Sequence, residues 1–479
     1  MLTVLLPAAV CLAGGVAAFL IKDRRTLLYE TTLTVLLAAA AALLASLAGA
    51  REVTLLDMGA GLTLRFGVDG LSRFFLLLIS AVWLVVQIYA VVYMESQGEN
   101  RFFGFYILTL GALLALSTAR NAVTAYMCFE LMSLLSTPLV LHFRTEESRS
   151  AALKYLGYST LGASLALMGL FLLTTCAQSL EFTPGGVSFL PGSEGRVLAA
   201  ALLIIAGFGS KAGLVPLQMW LPEAHPIAPT PASAVLSGII TKGGVLIIIR
   251  MMFYILGADA LRGTWVQECL IILSLVTVFM GSMLALREKL LKRRLAYSSV
   301  SNLSYVLFGL LTLSEAGFVG AMLQVLFHAL AKNALFLCAG SVIFAAGSRR
   351  VDRLRGIGLR MPVTMWCFAI SSLSLIGIPP TGGFAAKWQL AVGALESGSA
   401  LGFAGVIVLM VSALLTAFYL LPIVAQAFFP GRDFDAGEGC EVRPGMFAPV
   451  IVFSAAVLVL GFMPGGLLPW LARLAGTLL

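Results

Sequence analysis

Fourteen runs of about 20 mostly apolar residues follow one another along the chain, and each is long enough to cross a bilayer as a helix. Only 11% of the 479 residues are charged, whereas soluble domains have roughly a quarter. No water-soluble fold could bury this much apolar surface. The sequence therefore predicts an all-α integral membrane protein of about fourteen transmembrane helices. The runs lie at roughly 2–21, 29–48, 71–94, 103–119, 121–143, 151–176, 197–221, 227–256, 264–287, 296–313, 316–346, 361–396, 401–429 and 446–472.

The segments between these runs are short and form no second domain. Residues 51–70 contain the alternating sequence TLTLRFGV, which predicts a small extramembrane hairpin. The first run has neither a basic segment before it nor a small-residue cleavage site, so we interpret it as a retained helix and not a signal peptide. The longest polar pieces, of about twenty residues, cannot bury a core. We expect one membrane domain covering residues 1–479.

Basic residues predict how the bundle is oriented. Loops after odd-numbered runs hold about 18 lysines and arginines, against about 8 at the opposite ends, so the odd loops should face the cytoplasm. Both termini should then lie outside, in the cell (inner) membrane. This distribution of the net charge of +8 favours a membrane and not nucleic acid. The first set is Lys22, Arg24, Arg25, Arg101, Arg144, Arg149, Arg287, Lys289, Lys292, Arg293, Arg294, Arg349, Arg350, Arg353, Arg355, Arg360, Arg432 and Arg443. The second is Arg51, Arg65, Arg73, Arg120, Arg196, Arg250, Arg262 and Arg473.

Cysteine and histidine usage indicates a chain without a metal site. Seven cysteines are scattered, no two of them form a CxxC pair, and the chain has only three histidines. Zinc and iron–sulfur sites need clustered ligands. We therefore expect no metal, no redox centre and no other cofactor here.

Five charged residues lie near the middle of apolar runs, where each costs about 2.5–3.5 kcal/mol. They are Glu130, Lys211, Lys242, Lys332 and Lys387. Structural pairing or snorkelling to an interface is one explanation, but a single carboxylate cannot neutralise four lysines. Burial disfavours the charged form of an ammonium group, so the surplus lysines are candidate proton carriers.

Two histidines extend this set. His328 lies four residues before Lys332, which places both side chains on one helix face. A lone histidine in an apolar helix is usually a satisfied core residue, but the neighbouring lysine favours a relay. Glu223 and His225 lie in LPEAHPIAPTP, at a loop or helix end on the predicted cytoplasmic side. A proton access point and a helix cap both fit this pair.

Two runs contain helix breaks next to a lysine. Lys211 is followed by Pro216 in the seventh run, and Pro379 and Pro380 precede Lys387 in the twelfth. Proline removes a backbone donor, and in a membrane the freed carbonyls must be buried in protein or line a wet cavity. Broken helices at matching places indicate inverted repeats. This predicts N-terminal helices in residues 1–100, five-helix repeats in 101–256 and 257–430, and a C-terminal helix in 431–479.

The segment KAGLVPLQMWLPEAHPIAPTPASAVLSGIITKGG, residues 211–244, resembles the signature of a family of proton-conducting membrane subunits. The family is shared by respiratory complex I, Mrp-type cation/proton antiporters and group 4 membrane-bound hydrogenases. Further similar segments, which extend the resemblance over roughly 260 residues of the same order and spacing, are CFELMSLLSTPLVL (128–141), LKRRLAYSSVSNLSYVLFGL (291–310), FHALAKNALFLCAGS (327–341) and GIPPTGGFAAKWQL (377–390).

The resemblance implies fourteen helices, two inverted five-helix repeats and breaks in helices seven and twelve. It implies that Glu130 pairs with Lys211, and that Lys242 is the central lysine of helix eight. It places His328 and Lys332 in the relay region of helix eleven and makes Lys387 the terminal residue of the pathway.

The sequence also departs from the family pattern. Gln218 stands where many relatives have a histidine, so a titrating group is missing between helices seven and eight. The chain reaches Leu479 without the long lateral helix of the largest members. This argues against the distal complex I subunit and the large Mrp subunit, and favours a medium-length, Mrp D-like member.

These observations predict a proton-translocating, antiporter-like subunit of a hetero-oligomeric membrane complex. In the predicted path, protons arrive near Lys211 and Lys242, pass Lys332 and leave near Lys387, with Glu130 controlling how tightly Lys211 holds its proton. Three alternatives stay open: an Mrp-type antiporter subunit driven by gradients, the pumping subunit of a redox complex with iron–sulfur or nickel–iron peripheral partners, and a non-conducting scaffold. Whether Na⁺ is exchanged is equally open.

Overall fold

The computed structural model describes residues 2–49, 52–59, 62–431 and 441–479. Arg51 and Arg432, which contribute to the charge bias, and Cys440 lie outside these residues. Within these residues the main helices form fourteen successive segments, as predicted, three of them in two parts; two four-residue helices, Ala258–Leu261 and Ile357–Arg360, lie between them. We name them α1 (Leu2–Leu20), α2 (Arg24–Leu47), α3 (Gly70–Tyr93), α4 (Glu99–Thr118), α5 (Ala122–Val140), α6 (Glu146–Thr174), α7 (Glu194–Gly209 and Trp220–Ile227), α8 (Thr230–Leu256), α9 (Trp265–Arg287), α10 (Leu291–Leu311), α11 (Glu315–Ala346), α12 (Pro362–Ile376 and Gly382–Glu396), α13 (Ala400–Phe428) and α14 (Pro444–Phe462 and Leu467–Gly476).

Eleven of these helices are long and apolar enough to cross a membrane. The other three are the broken helices α7 and α12 and the polar helix α10, which begins with a cluster of basic residues. Within the described ranges the only sheet is a hairpin of β1 (Glu52–Asp57) and β2 (Thr63–Gly67), paired antiparallel. The predicted hairpin between the second and third helices is therefore present, and its position outside the membrane stays a prediction.

Both predicted helix breaks are present and share a local pattern. The first part of α7 ends at Gly209, and the first part of α12 ends at Ile376. Each break contains a glycine with positive φ, 82° at Gly213 and 90° at Gly377, three residues before a proline. Such a backbone is easily adopted only by glycine. Each break leaves free backbone groups within the bundle, next to a lysine that the sequence singles out as a candidate proton carrier, Lys211 or Lys387.

Helix α8 lies at the centre of the molecule, since all of its residues are buried. It departs from regular α geometry in two π turns, Leu236–Ile240 and Met251–Leu256. Such turns widen a helix by one residue and are frequent at functional sites. The first of them ends at Ile240, two residues before Lys242.

Glycines allow α6 and α7 to approach until their backbones touch. A Cβ added at Gly207 would lie 2.5 Å from the backbone oxygen of Gly162 and 2.6 Å from the backbone nitrogen of Ala166. Helices in membranes associate largely through such small-residue packing. The contact places the break of α7 directly beside α6.

We expect Gly207→Ala to destabilise the protein by about 1–3 kcal/mol, because the backbone atoms facing the new methyl group cannot rotate away. Gly195→Ala is the matched control on the same helix, since nothing lies within 4 Å of its added Cβ. The measurement is thermal unfolding of the purified protein in detergent. An equal unfolding temperature for both variants would contradict the close packing of α6 and α7.

A buried ion network joins α3, α5 and α8. Arg250 is 1% exposed and donates to both carboxylate oxygens of Asp69, at 2.5 and 2.8 Å. Asp69 also accepts from Arg120 at 2.9 Å and caps α3. Burial alone would raise the pKa of the Asp69 carboxyl, but the charges of the two arginines hold it below its usual value. Arg250 is therefore a buried structural charge, paired at the end of the bundle where α3 begins.

Candidate functional site

Lys211 lies in the break of α7 and is completely buried. Its ammonium donates to two hydroxyls of α6, Tyr155 Oη at 2.6 Å and Ser159 Oγ at 3.0 Å. The Nζ atom is 4.1 Å from the centre of the Tyr155 ring and 5.4 Å from that of Trp220, so both aromatic faces attract the cation. Pro216, in the same break, ends the irregular segment before the chain returns to helix. The break thus places Lys211 inside a polar and aromatic cage.

Glu130, the expected partner of Lys211, lies on α5 and is half-buried. Its Oε1 atom accepts from the hydroxyl of Tyr126 at 3.4 Å. Within the described part of the chain, no basic nitrogen comes within 4.0 Å of this carboxylate. The ion pair is therefore not formed in this structure. Instead, α5 is linked to the lysine through Ser136, whose hydroxyl lies 2.6 Å from that of Tyr155.

Lys242 and His328 are in direct contact at the centre of the bundle. Lys242 Nζ lies 2.7 Å from His328 Nδ1 and donates to the carbonyl of Ser237 at 2.6 Å. Both side chains are 1% exposed. Two positive charges at this distance would repel by on the order of 6 kcal/mol at an effective dielectric constant of 20. At most one of the two groups is therefore positively charged at a time. Since the other is neutral and can accept a proton, the contact can pass a proton between α8 and α11.

Lys332 lies one turn beyond His328 on α11 and is fully buried. Its ammonium donates to the carbonyl oxygen of Leu295 on α10 at 2.9 Å. A neutral carbonyl satisfies a hydrogen-bond donor but does not fix its charge as a carboxylate would. His328 and Lys332 lie one turn apart on the same helix, as their spacing predicts, and Lys332 connects α11 to α10.

Lys387 lies on the second part of α12, and its ammonium reaches back across the break. It donates to the last carbonyls of the first part, Leu375 at 2.6 Å and Ile376 at 2.7 Å. These carbonyls are free because the Pro379–Pro380 segment cannot continue the helix. They form the negative end of a helix dipole, which favours a cation.

Glu223 and His225 occupy different environments, although only one residue separates them. Glu223 is 35% exposed, forms ion pairs with Lys154 at 3.3 Å and Arg293 at 3.5 Å, and lines a cavity of about 620 Å³. His225 is completely buried, and among the described residues neither of its ring nitrogens has a hydrogen-bond partner. Its ring lies 4.9 Å from that of Phe336. Of the two, only Glu223 is open to the surface.

A cluster of buried hydroxyls near Lys387 was missed by the sequence reasoning. Tyr305 donates to Ser412 at 2.5 Å, and Ser412 lies 2.5 Å from Ser282 and 3.1 Å from Ser301. Lys387 Nζ lies 5.3 Å from the centre of the Tyr305 ring. The cluster joins α9, α10 and α13 beside the last lysine.

Two amides lie between this cluster and His328. Gln324, one turn before His328 on α11, donates to the side-chain oxygen of Asn302 on α10 at 2.9 Å. Asn302 is adjacent to Ser301 of the hydroxyl cluster. The signal that could have found them is the run AYSSVSNLSY, residues 296–305, whose repeated polar side chains are unusual inside a membrane helix.

No group of three or more histidine, cysteine, aspartate or glutamate side chains that could hold a metal occurs in the described ranges.

Residues 119–416 match the family described as NADH:quinone oxidoreductase/Mrp antiporter, TM. Residues 57–103 match the family described as NADH-ubiquinone oxidoreductase (complex I), chain 5 N-terminus. The chain belongs to the NADH:quinone oxidoreductase/Mrp antiporter family. The resemblance seen in residues 211–244 is thereby confirmed.

Two relatives and one solved structure that resemble this chain come from different kinds of membrane complex. The chain is 33% identical to NADH-quinone oxidoreductase subunit N of Desulforudis audaxviator, over 82% of this chain and 81% of that protein. It is 30% identical to hydrogenase-4 component B of Escherichia coli, over 87% of this chain and 64% of that protein. In fold it is similar to a chain of the Mrp complex from Dietzia sp. DQ12-45-1b, with a TM-score of 0.86, 23% identity and coverage of 99% and 97% of the two chains. The predicted fold class is confirmed.

Proposed function

We propose that this chain is the proton-translocating, antiporter-like subunit of a multi-subunit membrane complex. The observation that carries the proposal is the contact of 2.7 Å between Lys242 and His328. Two groups that exchange protons touch each other in the interior, where an uncompensated charge is costly. A purely structural contact at this position would be better served by two apolar side chains.

The proposed path runs along buried polar groups from one side of the bundle to the last lysine. Protons reach Lys211 from the cavity beside Glu223, move to the Lys242–His328 contact and Lys332, and continue through the amides and hydroxyls of α10. The groups of the path, in order, are Glu223, Lys211, Lys242, His328, Lys332, Gln324, Asn302, Ser301, Tyr305 and Lys387. His225 lies within this interior but outside the cavity, so we assign it no access role.

Glu130 would act as the switch on Lys211. In this structure the ammonium is held by hydroxyls and not by the carboxylate. A movement that brought Glu130 to 4 Å would favour the charged lysine by about 4 kcal/mol at an effective dielectric constant of 20. Its withdrawal would favour release of the proton.

The orientation and the repeats remain proposals with specific support. The cavity beside Glu223 is lined by Glu146, Lys292 and Arg349, which follow α5, α9 and α11. By the positive-inside rule this side is cytoplasmic, which puts proton uptake there and both termini outside. The matched glycine-to-proline breaks of α7 and α12 support five-helix repeats in 101–256 and 257–430.

The subunits that accompany this chain determine whether transport is driven by an ion gradient or by a redox reaction. The named relatives are subunits or components of larger assemblies, and we propose that this chain likewise works beside other membrane subunits. Gentle purification from the native membrane, followed by mass spectrometry and metal analysis, separates the two alternatives. Membrane subunits without iron would indicate a gradient-driven antiporter. Co-purified iron–sulfur subunits, with or without nickel, would indicate a redox-driven pump.

The proposed switch is tested by Lys211→Ala and Glu130→Ala in the assembled complex. We expect each variant to slow proton uptake into everted membrane vesicles by about tenfold or more, because a relay group or its regulator is missing. The readout is quenching of a pH-sensitive dye, with complex assembly checked on native gels. Lys22→Ala, at an exposed lysine, is the control. Wild-type uptake in both variants, with assembly intact, would show that the path does not use this end.

A further inference from the structure

A groove of about 560 Å³, separate from the proposed path, lies where the ends of α4 and α5 meet. Its lining includes Gln97, Arg101, His142, Phe143 and Arg144. Arg101 lies in the first turn of α4, and the other residues lie in the loops before α4 and after α5. Since both helices end here, the groove is at the boundary between the hydrocarbon core and water.

Two arginines give this groove an uncompensated positive charge. The guanidinium of Arg101 donates to the carbonyl of His142, which uses one of its five N–H groups. Within the described ranges, neither Arg101 nor Arg144 has a carboxylate within 4.0 Å. The nearby acids are already paired, Glu99 with Arg24 at 3.0 Å and Glu95 with Arg24 and Arg443 at 3.3 and 3.0 Å. Arginines left free in this way suit a phosphate group.

His142 adds an unsatisfied acceptor to the same groove. The side chain is 3% exposed, and its Nε2 atom lies 2.6 Å from the carbonyl oxygen of Gln97. A carbonyl only accepts, so Nε2 carries the proton. Burial lowers the pKa of His142, which leaves the ring neutral with a lone pair on Nδ1. The described part of the chain offers this buried atom no partner, whereas buried polar atoms are normally satisfied.

We propose that the groove binds a membrane glycerophospholipid whose headgroup carries a hydrogen-bond donor, such as phosphatidylethanolamine or phosphatidylglycerol. The phosphate lies between Arg101 and Arg144, and the ammonium or hydroxyl donates to His142 Nδ1. Phe143, which is 44% exposed beside them, contacts the upper part of the acyl chains. Basic pockets at helix ends on the cytoplasmic side are suited to such headgroups.

The test compares lipids that differ only in the headgroup donor. The full-length protein is purified in detergent, stripped of lipid and titrated with each lipid in native mass spectrometry. One molecule of phosphatidylethanolamine or phosphatidylglycerol should bind about tenfold more tightly than phosphatidylcholine, whose choline lacks a donor, which corresponds to one lost hydrogen bond. Equal binding of phosphatidylcholine would overturn the proposal.

Variants of the groove residues test which part of the lipid headgroup each residue contacts. The double variant Arg101→Gln/Arg144→Gln should weaken the binding of all three lipids. The double variant Arg25→Gln/Arg149→Gln, at exposed arginines outside the groove, should leave lipid binding unchanged. His142→Phe should abolish the preference over phosphatidylcholine while phosphate binding persists. Unchanged binding in the double groove variant, or displacement of the lipid by inorganic phosphate at equal concentration, would contradict the lipid assignment. If the groove variants fail to fold, the lipid series on the unchanged protein decides.

Discussion

Lys242→Met is expected to abolish proton translocation by the assembled complex, with a fall of about 100-fold in the initial rate. Methionine nearly preserves the volume and apolar stem of the lysine, so packing in the centre of α8 should survive. The carbonyl of Ser237 keeps a donor, because the hydroxyl of Thr241 also reaches it at 2.9 Å. What is lost is the titratable partner of His328, in the contact that we propose carries a proton from α8 to α11.

The measurement is dye quenching in everted vesicles, normalised to the amount of assembled complex. His328→Gln provides a second variant, since glutamine keeps hydrogen-bonding atoms but cannot become charged, and it should be similarly impaired. Lys22→Met, at an exposed lysine, controls for loss of a positive charge. Normal rates in Lys242→Met and His328→Gln would mean that protons bypass the centre, and the proposed path would have to be abandoned.

Asp69→Asn should destabilise the protein by about 3–5 kcal/mol, the effect of leaving a buried charge without its partner. Asparagine has the same shape and can still cap α3, so the substitution removes little besides the charge. Arg250 is 1% exposed and would retain the hydroxyl of Ser72 at 2.9 Å and the faces of Tyr254 at 4.5 Å and Phe182 at 5.3 Å, none of which carries a negative charge. Thermal unfolding in detergent measures the effect.

Two further variants test whether the loss of stability in Asp69→Asn comes from the unpaired charge of Arg250. Asp69→Asn/Arg250→Met removes both charges and should recover most of the stability. Asp259→Asn removes the partner of Arg262 in an exposed pair at 3.7 Å and should cost less than about 1 kcal/mol. Since the pKa of Asp69 is lowered on folding, its stabilisation is present above the unfolded carboxyl pKa of about 3.9 and is lost as the pH falls through the folded value. A similar loss in Asp69→Asn and Asp259→Asn would contradict the buried network.

The architecture could be predicted because it depends on local properties. Apolar length defines a transmembrane helix, and Pro216 and Pro380 mark breaks that the structure contains. The candidate lysines could likewise be found one at a time, since a charge in an apolar run is unusual wherever it occurs. Lys242 and His328, 86 positions apart in the chain, touch. Their contact could not be derived from spacing.

The partners of these residues could not be predicted because they come from other helices. Tyr155 and Ser159 hold Lys211, yet hydroxyls and aromatic rings are ordinary components of membrane helices and gave no signal. Arg250 stands near the end of an apolar run, but its pairing with Asp69, 181 positions away in the chain, could not be predicted from spacing. Sequence identifies groups that need compensation, whereas tertiary packing decides what compensates them.

The π turn at Leu236–Ile240 makes the path sensitive to chain length as well as to side-chain chemistry. The π turn accommodates one residue more than a regular α-helix would need before Lys242. In an α-helix each residue rotates the residues after it by about 100° around the helix axis. A deletion of one residue in this turn, with regular helix restored, would leave every other side chain unchanged yet turn Lys242 away from His328. An insertion or deletion in this turn would therefore break the contact between Lys242 and His328, whatever side chains the turn itself carries.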